Sequence, residues 1–218
     1  MGLSTAGVAF KPDSFTPGDE QEMIRRAFGS AFHPIPASEI RNYHDIRVPG
    51  NIAVESKNGA TFIYNGELAE RVLFEGQALE PALLSALGSP EVIVVFCHYD
   101  SGGSFGYAIW EKGVRVRSRV HTLDKTSDDG VPMELELPWL QAEQLVDEDG
   151  ELAYRNMESG EIATEAYVTA RMLGQVMDGL FGVAPWDEWD YKTKFNYYLR
   201  RPEEAAKQAP GKSWWKIW

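Results

Sequence analysis

Cys97 and His98 stand side by side in the apolar run EVIVVFCHY (91–99). A thiol attacks only as its thiolate, and an imidazole nearby is the group that commonly makes it one. The stretch DSGGS that follows would offer backbone N–H groups to an anion. Neighbouring residues of a strand, however, point to opposite faces, so His98 is badly placed to activate Cys97 and the base would have to be His44 or His121. A lone cysteine in an apolar strand is more often a small core residue. The catalytic candidates are thus Cys97, His98 and His121. The four histidines show no H-x-x-x-H spacing and Cys97 is the only cysteine, so no metal site, no cofactor and no intramolecular disulfide is expected.

A second constellation lies in VRVRSRVHT (114–122), where Arg115, Arg117 and Arg119 alternate with Val114, Val116 and Val120. A period of two puts the three guanidinium groups on one face of a strand. They call for carboxylates, and Glu134 and Glu136 of the next alternating stretch would supply them if that stretch lay alongside. Otherwise the row would receive an anionic ligand or an acidic patch of a partner. The acidic turn VDEDGE (146–151) lacks the ligand spacing of a calcium loop. DSGGSFG (100–106) lacks the lysine of a phosphate loop.

The third feature is GKSWWKIW (211–218), which sets Trp214, Trp215 and Trp218 among lysines. From Arg200 onward stand five basic residues against Glu203 and Glu204, in a chain of net charge −12. Tryptophans are frequent anchors at interfaces. The tail is expected either to dock back onto its acidic body or to serve a partner. The charge of the whole chain repels phosphate backbones, which argues against nucleic-acid binding, and would attract a basic protein. No apolar run reaches membrane-spanning length and the N-terminal stretch has no signal-peptide core. A cytoplasmic protein is expected.

Elements must place these residues. Strands are expected at 3–10, 51–56, 60–65 and 67–76, the last following the Asn65-Gly66 turn. More are expected at 91–99, 105–113, 114–122 and 131–140. Helices are expected at 17–32, 78–88, 164–182 and 185–202, with loops at 33–38 and 141–161, the latter holding a hairpin. A helix followed by three strands thus occurs twice, at 17–76 and 78–122. The fold class is α+β: a largely antiparallel sheet built from two such units, with helices packed on it and a helical C-terminal part. Residues 1–200 read as one domain and 201–218 as a tail.

The segment FGYAIWEKGVRVRS, with the ELPWL turn after it, resembles part of an uncharacterised bacterial family. The likeness lies in 105–139, in an aromatic strand joined through Glu-x-Gly to a Val-Arg strand. The 141–161 loop and the aromatic tail depart from the family pattern. The resemblance implies no activity and transfers no catalytic residue. The residues therefore favour a non-catalytic protein–protein interaction module. Within that class, an immunity or antitoxin-like protein that occludes a basic partner fits best, with a homodimer as a further option. The alternative is a small hydrolase or transferase using Cys97 with a histidine.

Overall fold

The structure, a computed structural model, describes residues 4–11, 19–39, 45–123, 125–147, 150, 152–186 and 195–200. Its centre is strand β1 (Ser4–Phe10), whose small residues let two neighbours close in. A Cβ at Gly7 would lie 2.0 Å from the carbonyl oxygen of Ile63. On one side β1 pairs with β4 (Ala60–Tyr64), which is joined to β3 (Asn51–Lys57) through Asn58 and Gly59. On the other side it pairs with β5 (Val92–Tyr99), which continues through β6 (Ser104–Glu111), β7 (Val114–Thr122) and β8 (Lys125–Gly130) as a meander. Beyond β3 lie β12 (Asn196–Arg200) and β2 (Phe32–Ile35). The sheet order is β2-β12-β3-β4-β1-β5-β6-β7-β8, with every neighbouring pair antiparallel. A separate three-stranded sheet holds β9 (Glu143–Val146), β10 (Leu152–Arg155) and β11 (Ile162–Thr164).

The central strands are buried on both faces because helices cover both. Helix α5 (Glu165–Phe181) lies across one face, where Phe181 meets Phe62 edge-on at 6.2 Å and Tyr167 meets Phe105 at 5.5 Å. The other face is covered by α1 (Glu20–Phe28), α2 (Gly66–Ala69) with the wide turn Glu70–Phe74, and α3 (Pro81–Ala86). These bury Met23, Ile24, Leu68, Val72 and Leu83. A 3-10 turn (Glu134–Glu136) packs beside α5 and leads into α4 (Leu137–Leu140).

The mixed α and β content and the large antiparallel sheet agree with the sequence reading; the repeated unit does not. The expected third strand at 67–76 is helical. Asn65 is extended at φ −157° and its side chain accepts a hydrogen bond from Leu68 N at 2.8 Å, so Asn65-Gly66 caps a helix instead of turning a hairpin. The expected strand at 131–140 is also helical, with Pro138 in its first turn. Residues 33–35, read as loop, lie in β2, and 125–130 form a strand that the sequence reading passed over. The expected C-terminal helix is corrected as well. Asn196–Arg200 is β12, set between β2 and β3, while 187–194 fall outside the described residues. The run FNYYLR is rich in residues that suit a pleated surface, and Tyr198 is buried there.

Candidate functional site

Two of the three β7 arginines turn inward; the expected single face is broken by a bulge at Ile109/Trp110, which sets Arg117 opposite Ile109 but Arg115 opposite Trp110. Arg117 and Arg119 sit opposite Ile109 and Tyr107 on the face that α5 covers. Arg117 is 1% exposed, and its Nε donates to both Glu136 oxygens, at 2.9 and 3.1 Å. Its other guanidinium nitrogens reach Asp128 of β8 and the carbonyl of Asp129. Arg119 shares Asp128, donates to Thr169 Oγ1 at 3.1 Å and lies 3.5 Å from Glu165. Asp128 thus bridges two arginines. Glu136, itself fully buried, is completed by Tyr107 Oη–H and by the Met133 backbone N–H. Arg115 is exposed in comparison and meets Asp129 at 3.3 Å.

The charges shape one another. Burial alone would raise the Asp128 carboxyl, but hydrogen bonds from Arg117 and Arg119 hold it below the usual carboxylate range. Burial pushes the Tyr107 hydroxyl up and the Glu136 charge adds to this, so Tyr107 stays a donor. Burial would lower the Arg117 guanidinium, yet its bonds to Asp128 and Glu136 outweigh that and keep it charged. His121 joins the edge of the network. Its Nδ1 lies 2.8 Å from Thr126 Oγ1, which donates to Glu165 at 2.9 Å. Desolvation lowers the His121 pKa, with Glu165 opposing.

Of the two acids read from sequence as partners for the row, Glu136 is the one that reaches an arginine. It arrives from a helical turn, not from a strand alongside. Asp128, Glu165 and Thr169 were missed. The first lies in a stretch of turn-like composition, and the other two are brought in by the tertiary placement of α5.

Cys97 meets neither His98 nor His121. Cys97 pairs across the sheet with Ala6 and Gly106 and is 0% exposed; burial pushes its thiol up. His98 is on the opposite face, 4.9 Å from the Phe105 ring and 4.6 Å from the Trp186 ring. Its Nδ1 is 3.3 Å from Asp100 Oδ1. Burial lowers the His98 pKa, against the pull of Asp100. His121 sits opposite Phe105 and so shares the His98 face, with the sheet between it and Cys97. His44 and the tail residues Trp214, Trp215 and Trp218 lie outside the described residues. Among the described residues, no group of three His, Cys, Asp or Glu is placed to hold a metal ion, and no helix is long and apolar enough to cross a membrane.

A model of a family of unknown function (DUF6928) matches residues 48–185. The chain belongs to this family. The DUF6928 segment contains the whole arginine–carboxylate network, from Tyr107 to Thr169, and the 105–139 stretch on which the sequence resemblance rested. It excludes β1, α1, β2 and β12. No curated protein and no solved structure matches the chain.

Proposed function

We propose that this protein is a non-catalytic interaction module whose acidic surface receives a basic protein and occludes it, in the manner of an immunity or antitoxin protein. The observation that supports this is that the core takes up almost none of the net charge of −12. Among the described residues the buried charged side chains are Arg117 and Arg119 against Glu20, Glu55 and Glu136, which nearly cancel. Carboxylates such as Glu91, Asp129 and Glu80 stand outside, with side chains 74%, 73% and 71% exposed. The acidic excess therefore lies outside the core. Such a field steers a basic partner and speeds encounter at low salt.

Affinity capture from the native host at low and high salt tests the reading. A stable partner of high pI is expected, with association slowed by salt. Recovery of no stable partner, or of an acidic one, would overturn it. Iodoacetamide on the folded protein separates this reading from the thiol-enzyme alternative. Cys97 is expected to react only after unfolding, because its thiol is buried and held protonated.

A further inference from the structure

We propose that the β8 edge is a self-association surface, on which two copies pair antiparallel about Ser127 across a two-fold axis and join their sheets. The inference stands apart from the basic-partner reading and rests on the edge itself.

The two ends of the nine-stranded sheet differ. At the β2 end, Pro34 removes one backbone donor from the edge strand. At the other end β8 has six residues and no proline, and among the described residues it pairs only with β7, which leaves its other side open. Charge is the usual protection of such an edge. Here Asp128 is drawn back to Arg117 and Arg119, which also hold the strand from behind. Two further charges stand on the edge strand, Lys125 and Asp129, of opposite sign and equally distant from Ser127; Asp129 also meets Arg115 of β7 at 3.3 Å, with its side chain still 73% exposed.

Antiparallel pairing centred on Ser127 sets Lys125 of one copy opposite Asp129 of the other, twice by symmetry. Lys125, Ser127 and Asp129 alternate along β8 and so share one face. Opposite charges facing one another are pairs that stabilise adjacent strands. A one-residue slip breaks this match at both symmetric sites. The occupant that this edge fits is therefore a second copy of the chain.

Sedimentation velocity over a concentration series tests the dimer, and a cysteine at the symmetry centre traps it. Wild type is expected to rise from the 24.4 kDa monomer toward twice that mass. K125E sets like charges opposite each other at both symmetric sites and is expected to raise the dissociation constant about ten-fold. Adding D129K to it restores the pairing. In S127C the new thiol faces its own copy at a separation that a disulfide spans, so mild oxidation yields a covalent dimer, and K125E suppresses it. Lys125 is exposed, so K125E is expected to keep the wild-type melting curve when monomeric, which separates lost pairing from lost fold. A wild type that stays monomeric throughout, or S127C dimers that form equally well with K125E, would overturn the proposal.

Discussion

Arg117 and Glu136 bring two full charges into the covered face of the sheet, and neither side chain retains any exposure. Desolvation of such a pair is costly and is offset only while every partner is present. Arg117→Met would leave Glu136 with Tyr107 and the Met133 amide but without its counter-charge. A loss of about 3–5 kcal/mol is expected by urea denaturation. Replacing both as R117M/E136M removes the stranded charge with its partner, so the double variant is expected to be more stable than R117M alone. The titrating groups add an acid dependence. Burial lowers the His98 and His121 pKa values from 6.5, so below that pH the unfolded chain takes up protons that the folded one resists. Stability is then present above about pH 6.5 and lost as pH falls toward the folded values. Asp128, held below 3.8 by its two arginines, contributes a second loss with the same sign at lower pH. Melting temperatures between pH 8 and pH 3 should therefore fall in two stages. His98→Gln with His121→Gln should flatten the upper stage alone.

At the scale of elements, what was legible followed from strong periodicity. The apolar run 91–99, the clean alternation of 114–122 and the helical spacing of 164–182 appear as β5, β7 and α5 with nearly the expected bounds. The failures share a cause: a local signal was outweighed by a distant contact. Asn65-Gly66 has the composition of a hairpin turn, but Asn65 donates to the Asn51 carbonyl across the sheet and its backbone is extended, so its side chain caps α2. KTSDDG (125–130) has turn composition, yet it is held as β8 by its ladder to β7 and by the two arginines on Asp128. The alternation of 131–137 was genuine, but the burial of Glu136 against Arg117 is met from a helical turn. For the candidate site, the shared face of Arg117 and Arg119 and one of their acids, Glu136, could be read from spacing, whereas the bulge that takes Arg115 off that face could not. The remaining partners could not, since nothing local in β8 or α5 announces that they converge on β7.

For the whole molecule, the family boundary and the sheet order pull in different directions. The matched segment, 48–185, holds β3 through β8, yet within the sheet β4 and β5 are not neighbours. Both pair with β1, which lies outside the segment, so 48–185 alone leaves two inner strands with open edges and a gap one strand wide in the core. The residue best fitted to that gap is Gly7, where any side chain would collide with the Ile63 carbonyl. The far end is tied in as well. Glu20 of α1 accepts from Tyr198 at 2.6 Å and from Asn196 at 3.1 Å, while Glu67 of α2 accepts from Arg200 at 2.8 Å. These bonds join the two flanking segments to each other and to the matched one. A chain of residues 48–185 is therefore expected to lack a cooperative thermal transition and dispersed amide resonances, whereas residues 1–200 are expected to show both. A cooperative melt from 48–185 alone would mean that β4 and β5 close directly on each other, and the order β4-β1-β5 would have to be abandoned.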